Sequence, residues 1–416
     1  MEPDASGAKP DRLSDLPDCL LHGILSFMGA RQLVQTSTLS RRWRHLWRDA
    51  PCLDVGPHEF HGGDDLERWV RFNSFADSLV LQHGHDSVHL DALRTQVVEP
   101  PKDRRSGRWS RPDGNSWVRR CLAHYSPAAL DIRNHSPSGA HVQMRRMSRG
   151  AVLRRLTTLR LTGVTLCAGF EHLLGVAGCP RLEHLELRDC LIGFREVVAS
   201  RTLKTLVVDS SNMSMDEPSC RMCYTPRIVA PSLVSLDLVL LSWYAPLCEF
   251  EMPSLVEATV RMDRGCINKE FKLLCSLNNV TKLEISTFPS LDLVMKHRFG
   301  RDLREFNNLT TLILDQCRFT RDEPTLLEFF LLHAPNLEKL TLQNCKLPSC
   351  SKSMVERSMS SKMFDSHLNL KFVEIKHRKK DGVSGIVDYL LRVSKNLKGP
   401  TLCYPKVQRI HGVMQH

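Results

Sequence analysis

Cys220-Arg221-Met222-Cys223 forms the C-x-x-C of the chain. Two thiolates at that spacing can hold one side of a tetrahedral zinc ion, and a structural site needs two further Cys or His ligands at a matching spacing. No second pair or Cys/His cluster follows, so an irregular insertion explains the motif better than a metal. The 15 cysteines are odd in number and scattered, which suits free thiols in a reducing compartment. The 18 histidines are dispersed, and His83 and His85 lie close together without a carboxylate cluster beside them. Asp64-Asp65 reads as a solvated loop. No G-x-S-x-G nucleophile elbow, G-x-x-x-x-G-K-[ST] phosphate loop or H-E-x-x-H metal helix occurs. The sequence therefore predicts no catalytic residue, no metal and no cofactor. The remaining chemistry is recognition, and the elements that present side chains become the question.

One pattern recurs: L-x-x-L-x-L, often followed by x-x-C. It appears at Leu156/Leu159/Leu161, Leu182/Leu185/Leu187 with Cys190, Leu203/Leu206/Val208, Leu233/Leu236/Leu238 and Val280/Leu283/Ile285. Later copies are Leu309/Leu312/Leu314 with Cys317 and Leu337/Leu340/Leu342 with Cys345, and degenerate ones are Leu255/Ala258/Val260 and Leu370/Val373/Ile375. These nine copies start 21 to 33 residues apart. The period-two end of each copy marks a strand with one buried face, and such a strand buries its leucines only by stacking on its neighbours. The cysteine suits the small buried position where the chain leaves the strand. Helical spacing over Glu171–Ala177, Lys269–Ser276 and Thr325–Ala334 supplies return segments. Pro180, Pro231, Pro253 and Pro335 stop those segments before the next strand. Between residues 57 and 150 the chain is less regular: Val88–Leu90 and Ala129–Ile132 read as strands, Asn115–His124 as a helix, and 100–112 as an exposed loop.

The face between the repeat leucines offers Arg160, Glu186, Arg188, Asp209, Asp237, Arg261, Lys282, Glu284, Asp315, Lys339 and Glu374 as candidate contacts for a protein target. Both charge signs occur, which suits protein recognition better than a nucleic-acid groove. The net charge of +11 concentrates elsewhere, at Arg41–Arg44, Lys102–Arg111, Arg145–Arg155 and Lys376–Lys380. A nucleic-acid partner would follow only if such clusters bound with steep salt dependence, and solvated surface accounts for them more simply. The start is polar and acidic, and no apolar run approaches the ~18 residues of a membrane span. A soluble, membrane-free protein of the cytoplasm and/or nucleus is expected.

Residues 12–55 read as helices. Leu16, Leu20, Ile24 and Phe27 make one apolar stripe that Leu21, Leu25 and Met28 widen, and Gly29 is placed to end the helix. A second helix is expected over Arg31–Leu39, and a third, capped by Ser40, carries Trp43, Leu46 and Trp47. About 40 residues bury too little surface to use this much apolar side chain internally, so part of it either packs on the first repeats or binds another chain.

Arg12-Leu13-Ser14-Asp15-Leu16-Pro17-Asp18-Cys19-Leu20-Leu21 with Ile24-Leu25-Ser26-Phe27, closed by Leu39-Ser40-Arg41-Arg42-Trp43-Arg44-His45-Leu46-Trp47-Arg48, resembles the F-box of plant F-box/LRR proteins. Cys19 departs from the acidic residue usual there. Residues 370–397 are loosely similar to the FBD segment of the same proteins, although no closing strand is evident after Leu397. The resemblance implies a non-catalytic adaptor. The F-box would bind a Skp1-type adaptor and through it a cullin scaffold, and the repeats would hold a protein substrate for ubiquitination. By motif position the Skp1-facing residues would be Leu13, Leu16, Pro17, Leu20, Ile24, Leu25, Val34, Leu39, Trp43 and Trp47. Some relatives of this kind use the repeat arch to hold a small ligand or inositol phosphate; here that reading would require Arg160, Arg188, Arg261 and Lys282 to converge.

The expected fold class is α/β: a short three-helix F-box, then an irregular leucine-rich-repeat solenoid with a curved parallel sheet. The expected divisions are a disordered start (1–11), the F-box (12–55), a linker with atypical first repeats (56–150), the repeats (151–365) and an FBD-like terminal repeat and tail (366–416).

Overall fold

A computed structural model describes residues 13, 15–82, 90–97, 116–134, 142–143, 153–166, 170–174, 178–192, 197–212, 227–240, 249–262, 273–287, 305–317, 326–345, 369–376, 387, 390–391 and 401–403. The chain divides into two units, Met1–Phe194 and Arg195–His416.

The first unit opens with α1 (Asp18–Leu25), α2 (Ala30–Gln35), a 3-10 turn (Thr36–Thr38), α3 (Trp43–Leu46) and a second 3-10 turn (Trp47–Asp49). Then follow β1 (Cys52–Val55), a 3-10 turn (Pro57–Glu59), α4 (Asp65–Gln82), β2 (Ala92–Val97), α5 (Ser116–His124), β3 (Ala129–Asn134) and β4 (Val142–Gln143). The unit continues with β5 (Thr158–Thr162), β6 (Val164–Leu166), α6 (Phe170–Leu174), β7 (His184–Arg188) and β8 (Leu191–Ile192). Its main sheet has the order β1-β2-β3-β5-β7, and β4-β6-β8 form a small second sheet.

The second unit holds β9 (Val198–Ala199), β10 (Thr205–Asp209), β11 (Arg227–Val229), β12 (Ser235–Leu240), β13 (Glu249–Glu251), β14 (Glu257–Met262), β15 (Lys282–Ser286) and β16 (Thr311–Asp315). After α7 (Leu326–His333) come β17 (Lys339–Gln343), β18 (Phe372–Lys376) and β19 (Thr401–Cys403). Its main sheet runs β10-β12-β14-β15-β16-β17-β18-β19, with β13-β11-β9 as a small second sheet. Neighbouring strands are parallel.

Register explains why the pattern folds. Leu236 lies opposite Ala258, Ala258 opposite Leu283, Leu283 opposite Leu312, Leu312 opposite Leu340 and Leu340 opposite Val373. The same rank of every repeat therefore stacks into one buried row, and each fully buried leucine contributes roughly 1.5–3 kcal/mol. The prolines do more than stop helices. Leu182 N–H donates to Cys179 O, Leu233 N–H to Ala230 O, Leu255 N–H to Met252 O and Leu337 N–H to Ala334 O. Each proline is thus the second residue of a four-residue turn, where its fixed φ is favourable, and the turn delivers the first leucine of the next copy to the core.

The cysteines close the opposite end of three strands. Cys190 Sγ donates to Leu161 O at 3.4 Å, Cys317 Sγ to Ile285 O at 3.8 Å and Cys345 Sγ to Leu314 O at 3.2 Å. The residue before each, Asp189, Gln316 or Asn344, takes a left-handed φ of 49–53°. Such a φ is tolerated best by short polar residues, and it turns the thiol back toward the preceding strand.

Several expectations need correction. Cys52–Val55 is not helical: Leu53 and Val55 alternate into the core and make β1 the first strand of the sheet. Asp65, expected in a solvated loop, begins an 18-residue helix, Asp65–Gln82. Asp64 accepts the Glu67 N–H at 2.7 Å at its start, and Phe72, Ala76, Leu79 and Val80 make its buried stripe. The helix expected over Arg31–Leu39 is shorter, ending at Gln35 before the 3-10 turn. Gly29 starts α2 with an extended backbone and does not close α1. The strand expected at 88–90 falls mostly outside the described residues; Leu90 is buried, and the strand itself is β2. Thr401–Cys403 supplies the closing strand that was not evident, pairing with β18. The 100–112 loop, Cys220–Cys223 and His83–His85 lie outside the described residues.

Candidate protein-interaction surfaces

The helices before β1 divide their apolar residues between two faces. Leu21, Leu25, Leu33, Trp43, Leu46 and Trp47 are buried and hold the helices together. Leu13, Leu20, Ile24 and Leu39 remain exposed, with Leu39 at 68% and Phe27 at 88% exposure. Pro17 is exposed, and Leu16 and Val34 are half-buried. Of the ten positions singled out from the sequence, Leu25, Trp43 and Trp47 therefore sit inside this module and the other seven reach its surface. Phe27 belonged to the sequence stripe but not to that set, and it is the most exposed of these side chains. Within α1, Leu20 and Ile24 follow one helical line while Leu21 and Leu25 point roughly 100° away, so α1 is apolar on both its inner and outer faces, and Leu16 and Phe27 flank it.

Polar contacts fix this arrangement. Arg42 Nη2 donates to Leu16 O and to Asp18 Oδ1, both at 2.5 Å. The Glu59 carboxylate accepts the backbone N–H of Arg31 and of Gln32, each at 3.1 Å, at the start of α2. Arg31 Nη1 returns a bond to Glu59 O at 2.5 Å, and its guanidinium lies 5.0 Å from the centre of the Phe60 ring. Phe60 packs edge-on against Phe72 of α4, and Phe72 against Trp117 of α5. Gly29 leaves room for this carboxylate, because a Cβ there would fall 2.5 Å from Glu59 Cδ and would have to push it aside.

In the first unit the open face of the sheet carries a register row of alternating sign: Asp54, Arg94, Asp131, Arg160, Glu186. Arg160 pairs with Glu186 at 3.0 Å, Arg188 bonds to the same carboxylate, and Arg133 pairs with Asp131 at 2.5 Å. Burial pushes the Asp54 carboxyl above its usual value, opposed by His58, Arg94 and Arg133. The hydrogen bond to Asp131 holds Arg133 above its ordinary range. Asp54, Arg94, Asp131 and Arg133 were missed in the sequence although they sit in L-D-V, L-R-T and L-D-I-R. The same intervening positions were legible there.

In the second unit the candidate side chains fall on three register rows. Lys282 and Lys339 share one row with Glu257; Asp237, Glu284 and Glu374 share the middle row; Asp209, Arg261 and Asp315 share the third. Lys282 pairs with Glu257 at 3.6 Å, and Glu374 with Lys376 at 3.3 Å. Asp209 Oδ1 accepts the Ser211 N–H at 3.0 Å. Phe372 is exposed at the end of the first row, an aromatic the repeat pattern gave no reason to notice. Arg160 and Arg188 are drawn onto one carboxylate in the first unit, and Lys282 onto another in the second.

Burial pushes the Cys179 and Cys190 thiols up to about 12, so both stay protonated and non-nucleophilic at neutral pH. Among the described residues no group of three or more His, Cys, Asp or Glu side chains could hold a metal. No helix among them is long and apolar enough to cross a membrane.

Residues 13–54 match the F-box domain family. A rice protein named meiotic F-box protein MOF is 32% identical over 410 residues, covering 88% of this chain and 80% of its own. F-box/LRR-repeat protein 13 of Arabidopsis thaliana is 25% identical, covering 94% and 89%. An Arabidopsis F-box/FBD/LRR-repeat protein is 27% identical, covering 95% and 92%.

Proposed function

The chain belongs to the plant F-box/LRR-repeat family, and from that premise we propose that it is the substrate-receptor subunit of a Skp1–cullin–F-box ubiquitin ligase. The observation that carries the reading is the outer face of the N-terminal helices. There Leu13, Leu20, Ile24, Phe27 and Leu39 stay exposed although the same helices already bury a core of their own. Apolar side chains in such density are the anchors of a partner chain. The subunit itself is non-catalytic; it docks on a Skp1-type adaptor, reaches the cullin only through that adaptor, and presents a target to the ubiquitin-transfer machinery in the cytoplasm and/or nucleus. The repeat sheets supply the target surface, because their open faces carry the side chains that the shared leucine scaffold leaves free to vary.

The test is co-purification with a Skp1-type adaptor, comparing wild type with a Leu20→Asp, Ile24→Asp double variant. Both positions are exposed, so the fold survives and circular dichroism stays unchanged. Two anchors at ~1.5 kcal/mol each predict a loss of about 100-fold in affinity. Undiminished binding by the folded double variant rules out this face as the docking site.

A further inference from the structure

The chain carries a formal net charge of +11, yet the open face of the sheet in the second unit has the opposite bias. Its middle register row runs from Asp237 through Thr259, Glu284, Ile313 and Thr341 to Glu374, with three acids and no base. Of the four bases on the flanking rows, Lys282 is engaged by Glu257 and Lys376 by Glu374, while Arg261 and Lys339 stand on the third and first rows. Among the described residues no base pairs with Glu284 or Asp315. Among the described residues the donor to the Asp315 carboxylate is Asn344 Nδ2 at 3.4 Å, which is long for a hydrogen bond.

A second observation falls at the same place. Leu283 and Ile285 of β15 enter the core, so Glu284 and Ser286 project from the open face. Ser286 lies between Asp315 on β16 and Arg261 on β14. It is 1% exposed, its hydroxyl has no hydrogen-bond partner, and the neighbouring Asp315 is 8% exposed. A buried hydroxyl left without a partner, next to a carboxylate without a base, costs free energy that a cationic donor reaching both would recover. A metal ion is a poor match, because the described residues provide no group of three ligating side chains.

Resting on the reading of the repeats as the target surface, we propose that Glu284, Ser286 and Asp315 form a subsite for a cationic side chain, so that the target presents a basic segment to the second unit. Arginine fits better than lysine. Its planar fork offers five donors where an ammonium offers three, and the acceptors are spread over two strands about 4.8 Å apart. The first unit does not compete for this ligand, since its own arginines occupy Asp131 and Glu186.

The test uses the full chain bound to its Skp1-type adaptor and fluorescence anisotropy with a labelled peptide of alternating glycine and arginine. The same peptide with citrulline in place of arginine keeps the shape and removes the charge. The arginine peptide binds and the citrulline peptide does not. Glu284→Gln and Asp315→Asn each weaken binding by about tenfold, equivalent to ~1.4 kcal/mol, and Ser286→Ala by about threefold. Glu338→Gln, which loses an exposed pair with Lys371 away from this face, changes it by less than about twofold. Half-exposed Glu284 makes Glu284→Gln decisive should Asp315→Asn unfold. Equal binding of the citrulline peptide, unchanged binding by Glu284→Gln, or no binding by wild type overturns the subsite. If the adaptor still co-elutes in those cases, the subsite alone has failed; if wild type never binds the adaptor, the reading beneath it has failed.

Discussion

Removing the Glu59 carboxylate tests how the helices before β1 are attached to the rest of the first unit. Glu59 lies 28 residues from Arg31 and accepts two backbone N–H groups that α2 cannot satisfy internally. Its negative charge also sits at the positive end of that helix. Loss of such a cap costs ~0.5–2 kcal/mol, and the charge adds ~0.3–1 kcal/mol at a partly exposed site. Glu59→Ala should therefore destabilise the first unit by about 1.5 kcal/mol, lowering its Tm by about 3–6 °C at ~2–4 °C per kcal/mol. Gly29 provides an internal control. In wild type, Gly29→Ala forces a Cβ to within 2.5 Å of the Glu59 carboxylate carbon and must displace it. With Glu59→Ala already present, that clash no longer exists. Thermal and urea unfolding of the four proteins of this cycle should give a coupling of about 1 kcal/mol, within the range for residues in contact. Strict additivity, or a Tm shift for Glu59→Ala of under ~1 °C, refutes the argument that this carboxylate anchors α2.

Three further outcomes follow from the geometry. Leu312 stacks between Leu283 and Leu340 with no exposure, so Leu312→Ala should cost ~2–5 kcal/mol in denaturant unfolding. The Asp54 carboxyl is raised by burial in the folded chain, so it penalises the folded state as pH climbs from the ordinary value through the raised one, and carries no penalty below both. Asp54→Asn should then gain stability relative to wild type as pH rises above the ordinary carboxyl value of about 4 and match it at lower pH; a gain confined to acid would reverse the sign and reject the assignment. Peptide mapping after brief maleimide treatment should find exposed Cys19 modified while Cys179 and Cys190 stay protected until unfolding.

Much of the scaffold was legible before any coordinates. The rank order in Leu182, Leu185, Leu187 or in Leu337, Leu340, Leu342 dictates a strand with one buried face, because alternation leaves the chain no other way to hide those side chains. All nine copies identified from the sequence contain a strand of the main sheets. What escaped was signalled weakly. α4 begins with Asp65–Arg71, four of whose seven residues are charged and whose Leu66 and Val70 stay exposed, before its buried stripe starts at Phe72, so its start resembles a solvated loop. β1 is four residues long and follows the 3-10 turn that ends at Asp49 with only two residues between. β19 has three residues and little pattern to detect.

The outer face of α1 marks the boundary between the two kinds of knowledge. Composition and spacing alone placed Leu20, Leu21, Ile24 and Leu25 on a helix with more apolar surface than it can use, and Leu16 and Phe27, expected on the same helix, flank it instead. They could not determine which of these residues belong to the helix bundle. That depended on where Trp43 of α3 and Trp47 of the 3-10 turn after it come to rest: packing encloses Leu21 and Leu25 and leaves Leu20, Ile24 and Phe27 in water. The repeat faces divide in the same way. The alternation of Leu283, Glu284, Ile285 and Ser286 determined that Glu284 and Ser286 project from the sheet. Only cross-strand register set Ser286 opposite Asp315 and drew Arg160 and Arg188 onto Glu186, because pairing between residues some 30 positions apart is a property of stacked repeats and not of any one copy.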